Sequence, residues 1–362
     1  MKLFQKYKLG QIELKNRIVM APMTRSRAIS NIPNDLMVAY YKKRADAGLI
    51  VTEGTAPSPN GLGYARIPGI FNDLQLKGWK KITEAVHKKG GKIFLQLMHT
   101  GRVSHPLNMA KDAQVLAPSA VSLTGKIHTD VQGIKSYPIP KEMTLGDIEQ
   151  TQQEFVQGAI NAIKVGFDGV EIHGANGYLI NQFINTASNK RKDTYGGSIK
   201  NRSRFALEVS KKITEAIGAD KVGIRLSPYG VFNDMEIYEN LDDTYAYLAT
   251  ELRKLNLVYI HIVDLSSQGA PKVPQRIKDI IRESFKGNII ANGGLDLEKA
   301  TAILNQGKAD LVAFGRPFIS NPDLVYRMKN NIPLNEPNSD TFYTPGKEGY
   351  IDYPLVNEKI NN

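Results

Sequence analysis

Eight short apolar runs, each followed by a longer segment whose apolar residues have helical spacing, constrain the fold of this chain more than any other feature. The runs predict strands at residues 17–21, 49–52, 92–97, 169–172, 222–226, 258–262, 288–291 and 311–314. The other segments predict helices at residues 35–47, 73–89, 145–165, 198–217, 241–254, 273–284, 297–305 and 321–329. Alternating strands and helices favour a parallel sheet, and eight strands close a barrel. We therefore predict an α/β fold, a (β/α)8 TIM barrel.

Two segments do not fit this repeat. Residues 98–144 are too long for a simple connection after the third strand, and we expect them to form a capping insertion over the barrel mouth. Within it, residues 114–123 and 134–140 are predicted to pair as a small hairpin. The tail from Ile332 on is rich in Pro, Asn and Tyr, which is typical of an ordered irregular wrap. No internal repeat or linker divides the chain, so residues 1–362 are expected to form a single domain.

The composition argues against several kinds of site and partner. The chain has no cysteine, which excludes disulfides, thiolate metal sites and iron–sulfur clusters, and we predict no metal site. The net charge of +11 is spread along the chain in pairs such as Lys42-Lys43, so we predict no nucleic-acid partner. No apolar run approaches the ~20 residues of a membrane helix. The first residues lack a signal-peptide pattern, so we expect a cytoplasmic protein without membrane contact.

Chemically useful residues stand where each predicted strand ends. In a closed parallel barrel the active site lies at the C-terminal ends of the strands, so these positions are the candidates. Polar or glycine residues follow or close seven of the eight runs, among them Thr24, Gly54, Gln96, His173, Arg225, the pair Gly293-Gly294 and the pair Gly315-Arg316. This distribution predicts a polar site at that end of the barrel.

The fourth run leads into a glycine-punctuated loop with three reactive side chains. His173 and Asn176 supply two hydrogen-bond donors for one oxygen atom, and Tyr178 adds a weak acid beside them. This arrangement suits the polarisation of a carbonyl group and the protonation of a neighbouring atom. Taken alone, these residues also fit a structural histidine and an ordinary Asn-Gly-Tyr turn. The loop by itself leaves both interpretations open.

The last two strand ends favour a phosphate site. Gly293-Gly294 permits a close backbone approach, and Arg316 carries a charge that can bond a phosphate twice. The competing interpretation is a plain glycine turn with a surface arginine. Arg225 also has two interpretations, a structural ion pair with Glu171 and a cation for a cofactor whose reduced form is negatively charged.

Several motifs follow one another in order from residue 15 to residue 354. They are KNRIVMAPMTR at 15–25, QLMHTGR at 96–102, the stretch from His173 to Tyr178, YGGS at 195–198, GRPFISNP at 315–322 and GYIDYP at 349–354. Each motif alone is a weak pattern, whereas the ordered set is highly specific. In these motifs the chain resembles the old yellow enzymes, the FMN-dependent ene-reductases of the NADH:flavin oxidoreductase group.

The resemblance implies a role for each matching position. The FMN ring is expected to contact Pro22, Met23, Thr24, Gly54, Gln96 and Arg225, and the phosphate is expected to lie on Gly293, Gly294, Gly315 and Arg316. His173 and Asn176 match the pair that binds a carbonyl or nitro oxygen, and Tyr178 matches the proton donor. Met98, Phe232 and Tyr343 match positions around the substrate pocket.

The resemblance also implies a ping-pong reaction. NAD(P)H passes a hydride to flavin N5, and the hydride then reaches the β-carbon of an activated alkene while Tyr178 protonates the α-carbon. The implied substrates are small molecules: α,β-unsaturated carbonyls, nitroalkenes, nitro compounds and nitrate esters. A monomer or homodimer is expected.

One departure and two rival functions accompany this resemblance. Relatives that share Thr24 often carry tryptophan where this chain has Met98, so the pocket shape and the facial selectivity are expected to differ. A flavin-free aldolase or isomerase would need a strand-end lysine, which is absent, or a carboxylate base such as Glu53. A flavin-binding barrel without catalysis would leave Tyr178 and His173 without a role.

Overall fold

Strands and helices alternate along most of the chain in the computed structural model, which describes residues 1–356. The strands are β1 (Tyr7–Leu9), β2 (Ile12–Leu14), β3 (Ile18–Met20), β4 (Leu49–Val51), β5 (Ile93–Leu97), β6 (Leu116–Ala117), β7 (Lys126–Thr129), β8 (Gly133–Ser136), β9 (Lys141–Glu142), β10 (Gly169–Gly174), β11 (Val222–Leu226), β12 (Tyr259–Val263), β13 (Asn288–Asn292) and β14 (Leu311–Phe314). The helices are α1 (Asp35–Lys43), α2 (Asp73–His87), α3 (Leu145–Lys164), α4 (Leu179–Ile184), α5 (Ile199–Ile217), α6 (Leu241–Lys254), α7 (Gln275–Phe285), α8 (Leu297–Asn305), α9 (Arg316–Ser320) and α10 (Leu324–Lys329).

Eight of these strands close into a parallel barrel. Their order is β3-β4-β5-β10-β11-β12-β13-β14, and β14 pairs back to β3. Each barrel strand agrees with one predicted run to within two residues at both ends. The (β/α)8 prediction is confirmed. The strands read as continuous apolar runs because helices cover the barrel outside and side chains fill it inside.

The helices begin where local capping satisfies their first N–H groups. Thr144 and Asp147 form a reciprocal capping box at the start of α3. The side chains of Asn34 and Asn72 accept backbone N–H bonds at the starts of α1 and α2. Capping therefore explains why these three helices begin close to their predicted positions.

The last part of the barrel differs from the prediction. The final helix α10 begins at Leu324 rather than at residue 321. Pro322 disfavours helical backbone at the residue before it, and Asn321 has a ψ of 85°. The short helices α4 and α9 are additions to the predicted set, since five or six residues are too few to show helical periodicity.

A small hairpin packs against the N-terminal ends of the barrel strands. Strands β1 and β2 pair antiparallel, and Gly10 takes a φ of 57° in the two-residue turn between them. Leu9 and Leu14 are fully buried in one cluster with Val19 and Leu49 of the barrel. Each of these strands has a charged residue at its centre and forms no apolar run, so sequence patterns did not indicate this hairpin.

The long segment after β5 contains two further strand pairs. Residues 114–123 and 134–140 were expected to pair with each other as a hairpin, and this prediction is wrong in its partners. The hairpin is formed by β7 and β8, while β6 pairs with β9 in parallel. The turn is set by Gly133, which has a φ of 66°, so β8 pairs with the strand immediately before it. The capping role of this segment stays a prediction.

The space between barrel and helices holds the larger hydrophobic core. Trp79 of α2 is fully buried there, with its ring edge-on to Phe167 at 5.4 Å between ring centres. Its indole N–H donates to the carbonyl oxygen of Gly69 at 3.0 Å, so the buried ring has no unpaired polar atom. Within residues 1–356, no helix is both long enough and apolar enough to cross a membrane.

Candidate active site

The sixteen residues predicted for the site all line one cavity of about 1670 Å³. They are Pro22, Met23, Thr24, Gly54, Gln96, Met98, His173, Asn176, Tyr178, Arg225, Phe232, Gly293, Gly294, Gly315, Arg316 and Tyr343. Most of them lie at or just after the C-terminal ends of barrel strands, where parallel barrels place their active sites. The fold thus brings together residues from nearly the whole length of the chain.

His173, on β10, is a neutral hydrogen-bond donor. Its Nδ1 accepts the backbone N–H of Ala175 at 3.3 Å. A neutral imidazole carries one proton, so this proton is on Nε2 and is available to a ligand in the cavity. Burial, together with the positive charge of Arg225, lowers the pKa of His173 to about 3. The side chain is therefore uncharged at neutral pH.

Asn176 is held in an unusual backbone conformation. Its φ is 57°, in the left-handed region that asparagine tolerates better than most residues. Its N–H donates to Oγ of Ser227 at 2.8 Å, and its carbonyl oxygen accepts a bond from Nδ2 of Asn233 at 2.8 Å. Its side-chain Oδ1 is buried and has no partner within residues 1–356. These bonds hold the Asn176 backbone in place, and its amide lines the same cavity as His173.

Tyr178 carries a proton in the same part of the cavity. Its hydroxyl donates to the hydroxyl of Tyr64 at 3.2 Å. Burial raises the pKa of Tyr178 to about 12, and the hydrogen bond with Tyr64 opposes that rise. The phenol is therefore protonated at neutral pH, with a second hydroxyl in contact that can stabilise it once it has lost its proton.

Arg225, on β11, lies beside His173 in the barrel register. Its Nη1 lies 2.8 Å from Nε2 and 3.2 Å from Nδ1 of the His261 ring, and its Nη2 donates to Oδ1 of Asn292 at 3.0 Å. Within residues 1–356 its Nε is buried without a partner, and no direct ion pair joins it to Glu171. His261 stands between the two charges. Burial lowers the pKa of Arg225 to about 10, so the guanidinium keeps its charge at neutral pH.

The opposite side of the cavity offers a cradle for a phosphate group. Gly293 and Gly294 follow β13 with φ values of 132° and 58°, and a side chain at Gly293 would overlap the carbonyl oxygen of Asp264. Gly315 follows the neighbouring strand β14, and Arg316 comes next. Exposed backbone at two adjacent strand ends and a guanidinium are the groups that bind phosphate in such barrels.

Two buried arginines hold the wall that carries Tyr343. Nε of Arg25 donates to the carbonyl oxygen of Phe342 at 3.1 Å, and Nη2 donates to that of Gly349 at 2.7 Å. Nη1 of Arg27 donates to the same Phe342 oxygen at 2.7 Å. The ring of Tyr343 is 61% exposed at the cavity mouth. The wall is therefore fixed through its backbone, while the Tyr343 side chain is free to meet a ligand.

Glu53, the carboxylate considered as a base for a flavin-free barrel, does not line the cavity. It is buried behind the second barrel strand, where it accepts a hydrogen bond from the hydroxyl of Tyr41 at 3.2 Å. Burial raises the pKa of Glu53 to about 7, although the backbone N–H and the charge of Arg25 oppose the rise. The structure thus leaves the cavity without this base.

Four further residues take part in the site although sequence patterns did not single them out. They are Tyr64, Ser227, Asn233 and His261. Three of them lie in loops, which have no periodicity to indicate a direction. The sequence could have indicated His261, because this histidine alternates with apolar residues on β12 and shares the inward face of the strand with Tyr259. A histidine inside an apolar strand is a reason to look for a buried partner.

These groups fit FMN. The glycine and arginine cradle has the groups that bind one phosphate, and Arg225 has a buried Nε–H that no group of residues 1–356 accepts, as a ring with acceptor atoms requires. Among residues 1–356, no group of three or more His, Asp or Glu side chains is placed to hold a metal ion. Fold and site together define a barrel enzyme of the flavin-dependent oxidoreductase class.

The chain belongs to the NADH:flavin oxidoreductase / NADH oxidase family, whose model matches residues 2–335. It is an NAD(P)H-dependent flavin oxidoreductase of the old yellow enzyme type, with FMN as its cofactor.

Relatives support this assignment over nearly the full length. The chain is 42% identical over 359 residues to a putative 12-oxophytodienoate reductase 3 of Oryza sativa subsp. japonica, covering 98% of this chain and 92% of that protein. It is 41% identical over 356 residues to a probable flavin mononucleotide-dependent alkene reductase of Leishmania infantum, covering 96% of each. The solved structure of morphinone reductase is similar with a TM-score of 0.94 at 42% identity, covering 99% of this chain and 97% of the other.

Proposed function

We propose that this enzyme reduces carbon–carbon double bonds that are activated by a carbonyl or nitro group. The observation that carries the proposal is the grouping of a neutral imidazole, a carboxamide and a protonated phenol, from His173, Asn176 and Tyr178, in one cavity. The names of relatives add support, since they describe reductases of 12-oxophytodienoate and of alkenes.

His173 and Asn176 bind the carbonyl or nitro oxygen of the substrate. His173 donates from Nε2, because its Nδ1 is already engaged by the backbone of Ala175. Asn176 donates from its side-chain amide. Negative charge grows on this oxygen as the double bond is reduced, and prearranged neutral donors in a buried cavity stabilise that charge. Neither donor has to change its protonation state during the reaction.

Tyr178 supplies the proton. Its pKa of about 12 keeps it protonated at neutral pH, while the α-carbon of an enolate is basic enough to accept the proton. The hydroxyl of Tyr64 is in contact and can donate to the phenolate that remains.

When bound and reduced by NAD(P)H, FMN would supply the hydride for the β-carbon. We assign the ring contacts to Pro22, Met23, Thr24, Gly54, Gln96 and Arg225, and the phosphate contacts to Gly293, Gly294, Gly315 and Arg316. The positive charge of Arg225 would favour the reduced form of that group, which would carry an added negative charge.

Met98, Phe232 and Tyr343 shape the substrate pocket. Met98 is buried against Gly54, where a side chain would overlap its sulfur atom. Phe232 and Tyr343 are both more than half exposed at the mouth. A flexible thioether in place of a larger ring leaves more room above the pocket floor. We propose that this enlarges the range of enones, nitroalkenes, nitro compounds and nitrate esters that enter and changes the face on which they are reduced.

The test is enone-dependent oxidation of NADPH by the purified holoenzyme under anaerobic conditions. We expect saturable oxidation with a cyclic enone and none with its saturated ketone. A holoenzyme whose flavin is reduced by NADPH but is never reoxidised by enones or nitroalkenes would contradict the proposed substrate class.

A further inference from the structure

Buried side chains inside the barrel connect two cavity residues, Gln96 and Arg225, through Glu171 and His261, which do not line the cavity. The reaction described above gives this connection no role. At its centre is Glu171 on β10, which is fully buried. Nε2 of Gln96 donates to its Oε1 at 2.8 Å, and the hydroxyl of Tyr259 donates to its Oε2 at 3.1 Å. A buried carboxylate is costly unless its charge and lone pairs are compensated.

His261 connects this carboxylate to Arg225. Its Nδ1 lies 2.8 Å from Oε2 of Glu171. Nη1 of Arg225 lies 2.8 Å from Nε2 and 3.2 Å from Nδ1 of the same ring, so the guanidinium packs over the face of the imidazole. An ionised carboxylate can only accept, so Nδ1 carries the proton and Nε2 of the neutral ring carries none. His261 is therefore a neutral ring that donates to Glu171 and lies between Glu171 and the cation.

The charge states agree with this bonding pattern. Burial, with the charge of Arg225, lowers the pKa of His261 to about 4, which keeps the imidazole neutral. Burial alone would raise the pKa of Glu171, but His261 and Arg225 hold it below its ordinary value, so the carboxylate is ionised. Glu171 is thus an anion, His261 is neutral and Arg225 is a cation. Of these three residues, Arg225 is the one that lines the cavity.

Glu171 also orients a second cavity residue. Because one N–H of the Gln96 amide donates to the carboxylate, the orientation of the amide is fixed, and Oε1 and the second N–H are left for a ligand. One carboxylate thus acts on two residues assigned to the FMN ring, Gln96 and Arg225, without lining the cavity itself.

We propose that Glu171 is a positioning residue that sets the balance between oxidised and reduced FMN, acting on Arg225 through His261. This inference rests on the proposed placement of Arg225 at the FMN ring. A hydride carries one proton and two electrons, so its transfer leaves NAD(P)+ and one added negative charge on the cofactor. Arg225 attracts that charge, and the carboxylate behind Arg225 weakens the attraction. Glu171 therefore keeps the reduced state from becoming too stable to pass its hydride on.

The test is the midpoint potential of FMN in the Glu171→Gln holoenzyme, measured by equilibration with a reference dye. Removing the anion leaves the charge of Arg225 uncompensated. We expect reduced FMN to gain at least tenfold in affinity relative to oxidised FMN, which raises a two-electron potential by about 30 mV. Tyr259→Phe is the matched control, because it removes one hydrogen bond to Glu171 and keeps the charge, and its affinity ratio should stay within about threefold of the wild type.

The Asn292→Asp variant tests the same proposal, because it should shift the midpoint potential of FMN in the opposite direction. Asn292 accepts a bond from Nη2 of Arg225, so an aspartate there adds a second anion to the same cation and should lower the potential. If Glu171→Gln does not retain FMN, the Asn292→Asp result decides: a lowered potential supports the proposal, and an unchanged or raised one overturns it. A purely structural role for Glu171 predicts weaker binding of both redox states with no shift, and that result overturns the proposal.

These measurements separate the inference from the proposed function. Potentials are read from the flavin spectrum and need no substrate. A wild-type enzyme that reduces enones while Glu171→Gln leaves the potential unchanged would refute only the role of Glu171. A wild-type enzyme that ignores enones while the potential shifts as expected would refute only the proposed substrate class.

Discussion

The ring of Tyr178 stands perpendicular to the ring of His173, at an angle of 87° and with 4.8 Å between ring centres. This contact places the proposed proton donor next to the proposed oxygen-binding donor. In an activated alkene the carbonyl oxygen and the α-carbon are two bonds apart, so the groups that act on them have to be close together. The edge-to-face contact also restricts the ring orientation of both residues.

Replacing Tyr178 with Phe should separate the two halves of the reaction. We expect flavin reduction by NADPH to stay within about threefold of the wild type, and enone reduction to slow by about 100-fold or more, since a general acid typically contributes that much. Stopped-flow absorbance measures both steps. Tyr64→Phe is the control, because it keeps the donor and removes only its partner, so it should slow enone reduction less. Equal losses in both half-reactions of Tyr178→Phe would contradict the assigned role.

Replacing His173 with Ala should abolish the binding of phenols to the oxidised enzyme. The phenolic oxygen mimics the oxygen of the substrate and needs the Nε2 donor. His128→Ala is a matched control, since His128 also lines the cavity but its side chain on β7 is 62% exposed, and phenol binding should persist. Because the pKa of His173 is about 3, this residue should add no step to the pH profile of binding between about pH 5 and 8. An unchanged absorbance response to phenol in His173→Ala would refute the oxygen site.

Replacing Glu53 with Gln should alter how stability depends on pH. The pKa of Glu53 is about 7 in the folded protein and near 4.5 when unperturbed, so folding takes up a proton and stability falls as pH rises through this window. The glutamine variant does not lose stability in this way. In the wild type the loss in the free energy of unfolding reaches on the order of 3 kcal/mol above pH 7. Denaturant unfolding of both holoenzymes at about pH 5 and pH 8 measures it. The variant should gain stability relative to the wild type at the higher pH, and a difference that does not change with pH would show that Glu53 is ionised throughout.

Replacing Gly293 with Ala should weaken FMN binding. The new side chain would overlap the carbonyl oxygen of Asp264 and force the cradle to move. Gly307→Ala is the control, because Gly307 also has a positive φ, of 69°, but its surroundings are open. The control should lose about 1–2 kcal/mol of stability from backbone strain and keep its FMN. Ultrafiltration of the free flavin measures the affinity, and equal FMN retention by both variants would argue against the cradle.

Sequence patterns predicted the barrel because each strand is buried on both sides and therefore forms an apolar run. They also predicted the strand-end residues of the cavity, since parallel barrels collect strand ends at one side. Phe232 and Tyr343 lie outside the strand ends and were expected at the pocket only from the family resemblance. The predicted pairing of residues 134–140 was wrong, because the register of a hairpin depends on its turn, here at Gly133, rather than on hydrophobicity. Tyr64 and Asn233 lie in loops and act through contacts between distant elements, which no local pattern encodes. His261 did have a local signal, as a histidine within an apolar strand, but its partners lie on other strands. Single-domain organisation, a cytoplasmic location and a monomeric or homodimeric state stay predictions.

The most direct measurement is the absorption spectrum of the purified protein, before and after addition of a phenol. We expect one FMN per chain, a yellow protein, and a new long-wavelength band with phenol that is absent in His173→Ala. This result would place the cofactor at the strand ends and an oxygen-binding pair next to it. A colourless protein that binds no added FMN, or a yellow one whose response to phenol does not depend on His173, would contradict that arrangement.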